Sequence, residues 1–562
     1  MDEVGGAGQT SGTETQGRRL ARSTLVVMLA FGAAKAISLA QTVIIAQVFG
    51  VGQEWDAFVA ANSVPELIFT LIAGGALAHA FIPVFSGFLA RGDRDGAWRV
   101  ATHVINSVFT LTLVVSAVVF VAAPWLVATL VAPGFDAVGQ AQTVELMRIL
   151  LISTLIFSIS GISMGILQSH NHFLLPALAP IMFDVGILFG VMFLIGPLGV
   201  NGIAVGAVLG AALHLGVQVP GLLHFRVRWW PELGLNDPQL WRIVRLMLPR
   251  IAGLGVFSLN FLVMNNIASR LGIGAVSALS WGWRLMQIPQ TLIGTAMGVV
   301  IFPTLAALSE LGDESGKRNA MSGALRFVMI ASIPAAVGLI FVGRPLISLL
   351  ERGAFDASAS ILVYSTLQFF ALGMVFHSAL EVVARSFYAD KDTMTPLWAA
   401  LGGAFINLVL SFALSGVGRV EANPLYNLTA TQLGGIGAQP LTGNVGGLAL
   451  ANSLGVMFEV ITLIFVLRRR WHGINENALA RTTLKTLAAS LAMAAAIVIV
   501  NALWVSAGLT GRGLAFTVAQ IALETGVGLL TFAAAALVLR MEELPTLARL
   551  LLRQGKPQEA LT

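Results

Sequence analysis

Stretches of twenty or more predominantly apolar residues recur from one end of this chain to the other. As a helix, each is long enough to cross roughly 30 Å of hydrocarbon. This recurrence limits the fold more than any motif does. In lipid every backbone N–H and C=O must find its partner within the protein, so such a chain folds as an all-α polytopic bundle. The apolar stretches predict about fourteen spans, at 24–50, 57–89, 98–124, 143–167, 174–196, 200–224, 240–269, 275–308, 320–343, 359–388, 395–416, 444–468, 480–507 and 514–540. Charge content agrees, at 11% of 562 residues against about 25% in soluble domains. Fifty-nine glycines suit helices that approach one another closely. Pro65, Pro83, Pro289 and Pro303 fall inside predicted spans, where neighbouring helices or a wet cavity must satisfy the freed backbone groups.

Placing the cations gives the orientation, because cytoplasmic loops are enriched in Lys and Arg. One side carries Arg18, Arg19, Arg22, Arg91, Arg94, Arg99, Arg226, Arg228, Arg242, Arg245, Arg250, Lys317, Arg318, Lys391, Arg468, Arg469, Arg470, Arg481 and Lys485, and the tail after Arg540. The other side carries Arg270, Arg344, Arg352, Arg419 and Arg512. Both termini are therefore expected in the cytoplasm of a bacterial inner membrane, which requires an even number of spans. The net charge of +5 reflects this topology and not a nucleic-acid partner. Residues 1–23 are polar and Gly/Thr-rich, predicting a disordered cytoplasmic tail without the apolar core of a signal peptide. Residues 542–562 form a second cytoplasmic tail.

The chain repeats itself. FIPVFSGFLARGDRDG at 81–96 corresponds to IFPTLAALSELGDESG at 301–316, pairing Pro83 with Pro303, Gly92 with Gly312, Asp93 with Asp313 and Gly96 with Gly316. At the same spacing of 220 residues GFDA at 134–137 meets AFDA at 354–357, and Pro176 meets Pro396. VNGIAVG at 200–206 then resembles VGGLALA at 445–451, the added length lying in a polar outer loop at 417–443. Two six-helix lobes follow, 24–225 and 226–470, running in the same sense because each has an even number of spans. An appended pair of helices occupies 471–541. Parallel repeats of this kind belong to transporters whose substrate sits between the halves near the midplane.

The absence of cysteine excludes disulfides, thiolate metal sites and cysteine nucleophiles. No P-loop, GxSxG elbow or HExxH motif is present, so neither ATP hydrolysis nor these enzyme chemistries is expected. The reading is a transporter without cofactor, driven by a coupling ion (Na+ or H+), the membrane potential or consumption of the product.

FGVGQEWDAFVAANSVPELI (49–68), GGALAHAFIPVF (74–85), APGFD (132–136), LQSHNHFLLPALAP (167–180), WGWRLMQIPQTLIGTAMGVVIFPTLA (281–306) and ARSFYADKDTMTP (384–396) resemble the MurJ/MviN family of the multidrug/oligosaccharidyl-lipid/polysaccharide exporter superfamily. The resemblance covers both lobes. It implies an alternating-access flippase for an undecaprenyl-diphosphate-linked muropeptide, lipid II, with a cationic central cavity for the diphosphate. It also implies a groove along the last two helices for the lipid tail. Membrane lipids and cell-wall synthesis enzymes are the further partners it suggests.

Ionisable groups within a span are expensive, so each marks a candidate site. Arg284, in WGWRLMQIP one turn before Pro289, matches an arginine of the family's cavity, and its planar guanidinium suits bidentate bonds to a diphosphate. An ion pair with Asp56 or Glu66 is its structural alternative. Lys35 supplies a second cation in the first span, with snorkelling as its alternative. Asp56, in WDAF, matches a family acidic residue and reads as a gate or as a helix N-cap. Glu66 is acidic where the family usually has asparagine. Gln41 and Thr42 replace a family Arg–Asp pair, Phe69 and Thr70 a basic pair, and Gly74 a glutamate. Asp184, Glu381 and Glu459 are secondary candidates as ion ligands or as interhelical glue. Arg385 and Lys391 read as headgroup contacts, and His170 and His172 as a solvated turn. Beside lipid II flipping stand export of another polyprenyl-linked glycan, cation-coupled export, and a non-transporting scaffold for cell-wall synthesis.

Overall fold

The computed structural model of the chain describes residues 37–73, 75–417 and 444–541, and every regular element among them is a helix. In chain order these are α1 Ile37–Phe49, α2 Gln53–Ile68, α3 Gly75–Ala90, α4 Arg94–Val131, α5 Ala137–Ser169, α6 Leu174–Leu198, α7 Asn201–His224, α8 Pro238–Ser269, α9 Ala275–Glu310, α10 Glu314–Phe341, α11 Ala357–Ala389, α12 Met394–Ser415, α13 Val445–Arg470, α14 Glu476–Ser506 and α15 Leu514–Val538. Twelve of the described helices, α4 to α15, are long and apolar enough to cross a membrane. The first expected span is described from residue 37, as α1. The second is divided into α2 and α3 by a π turn, Phe69–Ala73. Lys35, Gly74, Arg419, both tails and 418–443 of the outer loop lie outside the described residues.

The repeated sequence words turn out to be helix caps. The Asp93 carboxylate accepts from the Gly96 N–H at 2.8 Å, as Asp313 does from Gly316 at 2.8 Å. Asp136 accepts from Gly139 at 2.8 Å and Asp356 from Ala359 at 2.7 Å. Each cap satisfies an orphan donor in the first helical turn. Gly92 and Gly312 precede their caps at φ 76° and 67°, where a side chain is strained. The Gly316 N–H and the Ser315 hydroxyl hold the Asp313 carboxyl below the ordinary carboxylate range. A depressed carboxylate stabilises the fold above its unfolded pKa, and that contribution disappears as pH falls through the folded value. Asp313→Ala is therefore expected to lower the melting temperature in detergent at neutral pH. The gap from wild type should close in acid.

The chain divides into two compact units, Met1–Leu262 and Val263–Thr562, with the division inside α8 and not in the loop before it. In the first unit, α3, α4, α5 and the start of α8 bury Phe81, Phe85, Trp98, Ile162, Ile166 and Ile243. Beside them α6 and α7 meet backbone to backbone. A Cβ on Gly206 would lie 2.7 Å from the Gly190 Cα, and one on Gly190 would lie 2.6 Å from the Gly206 Cα. Gly202, Gly206 and Gly210 fall on one face of α7 at four-residue spacing, the small-residue pattern of close membrane helices. In the second unit α10, α11 and α13 enclose Val328, Val382, Phe387, Leu463, Leu467 and Trp471. The appended α14 and α15 contribute Met493, Ile497 and Phe532 to a separate cluster with Val342.

At equivalent corners the two units use different chemistry. Between α5 and α6 the His170 ring stacks on Phe225 at 4.2 Å between centroids and lies near Phe85 and Trp98. This corner is an aromatic stack, not the solvated turn the SHNHF sequence suggested. Between α11 and α12, Asp390 accepts from Lys317 at 2.7 Å and from the Ser309 hydroxyl at 2.6 Å, and Arg470 pairs with Asp392 at 2.7 Å. Lys317, expected in a solvated loop, is 7% exposed and lies over the Trp471 ring. Removing one partner of an enclosed pair strands the other charge, at a cost of about 3 kcal/mol. Lys317→Ala should therefore lower the melting temperature clearly. Lys391→Ala, which removes the exposed pair with Glu310, should leave it nearly unchanged.

Candidate functional site

The second unit holds the leading candidate. Arg284 lies on α9 and is exposed, on a helix otherwise apolar enough to span. The same helix carries Pro289 and then a π turn at Thr291–Thr295. Proline removes a donor from the helical ladder, and π turns absorb an extra residue, so α9 is broken shortly after Arg284. The equivalent break in the first unit is the π turn Phe69–Ala73, which follows Pro65 on α2. Both repeats are thus interrupted after a proline at this matching place, and the second of these breaks follows the arginine.

Behind α9 stands a polar strip on α11. Glu381 pairs with Arg385 one turn along, and the Thr295 hydroxyl donates to Glu381 at 3.3 Å. The Arg385 side chain is 20% exposed, so this arginine is part of an ion pair along α11 and not the headgroup contact its position near the helix end suggested. Further along α11, His377 stacks edge-on against Trp283 at 5.2 Å and bonds to the Asn452 side chain of α13 at 3.2 Å. Glu459, about two turns further along α13, is half-buried where α13 passes Gly403 of α12.

In the first unit Gln41 is buried on α1. Asp56 is 1% exposed within the first turns of α2, but the N-cap is Gly52, so the capping alternative for Asp56 does not hold. Glu66 is exposed at the end of α2 and accepts from the Asn62 amide at 3.0 Å. Asp184 is half-buried on α6. The structure thus joins Glu381 to Arg385 and Thr295. Asp184, Glu459 and Gln41 each lie on separate helices.

Two polar groups escaped sequence reasoning. A buried triad in the first unit places the Ser160 hydroxyl 2.6 Å from His214 Nδ1, with the Gln218 amide donating to Ser160 at 2.8 Å. Arg326, half-buried well inside α10, is the other. Carried past its last residue, the VNGIAVG/VGGLALA repeat pairs His214 with Glu459, which marks a polar position but not the Ser160 and Gln218 partners. Among the described residues no cluster of three or more His, Asp or Glu could hold a metal ion.

Comparison with known proteins completes the picture. The model of the family described as lipid II flippase MurJ matches residues 45–518. The lipid II flippase MurJ of Burkholderia cenocepacia is 30% identical over 443 residues, covering 77% of this chain and 80% of its own. A probable lipid II flippase MurJ of Rhizobium tropici is 29% identical over 473 residues, covering 83% and 84%. Among solved structures, one titled lipid II flippase MurJ, inward closed conformation, superposes with a TM-score of 0.73 at 22% identity, covering 92% of this chain and 99% of the other. An inward-facing multidrug resistance MATE family transporter of the MOP superfamily gives 0.64 at 17% identity, covering 82% and 99%. At these identities the solved structures show the shared fold.

Proposed function

Since the chain belongs to the lipid II flippase MurJ family, we propose that it moves lipid II, the undecaprenyl-diphosphate-linked peptidoglycan precursor, from the cytoplasmic to the outer leaflet by alternating access. The observation that carries this reading is the exposed Arg284 on a broken spanning helix. A cation there stabilises a diphosphate that has left bulk water, and the fork geometry of arginine bonds two phosphate oxygens at once. Lys35 is a second attractor for the same group. Asp56 and Glu66 act as gating acids that hold cationic side chains when substrate is absent. The lipid tail runs along α14 and α15, and both termini are cytoplasmic.

An inside-negative potential favours outward movement of an anionic headgroup, by about 2.3 kcal/mol per charge per 100 mV. Collapse of the potential should therefore slow transport. Dependence on a Na+ or H+ gradient instead would identify a coupling ion. Gln41 and Thr42 stand where the family carries an ion pair, and Glu66 adds a carboxylate. These departures favour a second reading, in which the cargo is a polyprenyl-diphosphate glycan other than lipid II. Complementation separates the two. Wild-type protein is expected to rescue a bacterium depleted of its own lipid II flippase, and failure of a correctly inserted protein to do so favours the second cargo.

A further inference from the structure

The π turn of α9 is held from one side by α11. A Cβ on Gly294 would come within 2.6 Å of the Ser378 Cα, and one on Gly298 would collide with the Arg385 guanidinium. Between these two close approaches Thr295 donates to Glu381, and Glu381 holds Arg385. Arg385 also donates to the Glu381 carbonyl at 2.5 Å, which fixes both side chains on the same turn of α11. Glu381 thus bonds to the last residue of the π turn and Arg385 lies against the turn that follows it.

The first unit has no such clamp. At the repeat spacing Glu381 corresponds to Gly161 and Arg385 to Gly165. There the neighbouring π turn, Phe69–Ala73, meets α5 through apolar packing, with Phe69 and Phe157 rings 5.3 Å apart. Apolar surfaces slide over one another without a preferred register, whereas a hydrogen bond between helices, as from Thr295 to an ion-paired Glu381, fixes one. An internal ion pair is a poor source of stability compared with the apolar residues that could replace it, so its retention at a helix break calls for a positional explanation.

We propose that Glu381 and Arg385 are positioning residues that set the bend of α9 at its π turn, and with it the placement of Arg284 toward a diphosphate; the second half of this statement rests on the flippase reading. Arg385 spends its charge on Glu381, so it steers the helix without touching substrate.

The bend can be measured without any substrate. The chain has no cysteine, so spin labels introduced by Ile273→Cys and Val300→Cys report on α9 across the π turn without background. Ile273 stands two residues before α9 and Val300 lies on it, a separation of roughly 40 Å. Wild type is expected to give a single narrow distance distribution. Glu381→Ala and Arg385→Ala should broaden it or shift its mean, and Glu381→Gln, which keeps an acceptor for Thr295, should do so less. The charge-reversed pair Glu381→Arg/Arg385→Glu should return it toward wild type. Unchanged distributions in both alanine variants would overturn the proposal.

In proteoliposomes the same alanine variants should bind lipid II more weakly and flip it at least about tenfold more slowly, since a displaced helix misplaces Arg284, but in an Arg284→Ala background they should weaken binding by less than about twofold further. A further loss of binding as large in the Arg284→Ala background as in wild type would make these residues substrate contacts in their own right and would also overturn the proposal. If wild type neither binds nor moves lipid II, the assignment of cargo fails while the distance measurement still decides the clamp.

Discussion

Arg284→Ala abolishes rescue of a flippase-depleted bacterium although the protein still reaches the membrane at wild-type abundance. This is the largest functional effect expected of any single side chain here. Arg284 is exposed on α9, so its removal opens no cavity and leaves the packing of α9 on α11 intact. What is lost is a pair of charge-assisted bonds to phosphate, each worth about 1.5–3 kcal/mol. A loss of about 3 kcal/mol slows translocation by more than a hundredfold. Arg284→Lys keeps the charge but not the fork, and should rescue partially. The check is growth after depletion, with immunoblots of the membrane fraction. Equal growth on Arg284→Ala and wild type would remove Arg284 from the site.

Gly206→Leu removes the protein from the membrane altogether. The α6–α7 pair has no room for a side chain at this position, because a Cβ on Gly206 would also come 2.9 Å from the Gly186 carbonyl oxygen. Both obstructing groups are backbone, so no rotamer change relieves the clash, and the helices must separate along the whole Gly202–Gly210 face. Overpacking a core costs about 1–3 kcal/mol where side chains can adjust. Here they cannot, and the cost should exceed that range. Gly216→Leu, where a Cβ would meet nothing within 4 Å, is the control and should express normally. Fluorescence-detected size exclusion of tagged protein reads the difference as loss or retention of a monodisperse peak.

The sequence was most legible where local rules act. Among the described residues apolar periods placed helices to within about seven residues of the observed bounds, and the GD and FDA words marked loops because Asp93, Asp313, Asp136 and Asp356 cap the helices that follow. Pro289 signalled the break in α9 but not its form, since a π turn depends on what packs beside it. Pairing was the illegible part. Lys317 and Asp390 are 73 residues apart, and Lys317 reads as one more positive loop residue until α10 and α11 are docked. Arg385 misled for a different reason: its place near a helix end suggested headgroups, although Glu381 one turn away already offered a partner. For the candidate site, Arg284 and Glu66 stood out in the sequence as ionisable groups within apolar spans, but Asp56 as a buried group and His214 within its Ser160–Gln218 network required the packed structure.

The most direct measurement follows fluorescent lipid II in vesicles containing only this protein, with an impermeant reagent reporting how much headgroup has crossed. Vesicles bearing wild type should lose leaflet asymmetry within minutes, and those bearing Arg284→Ala should retain it as empty vesicles do. Retention of asymmetry by folded wild-type protein, with a membrane potential of the correct sign imposed, would contradict the assignment of lipid II as cargo.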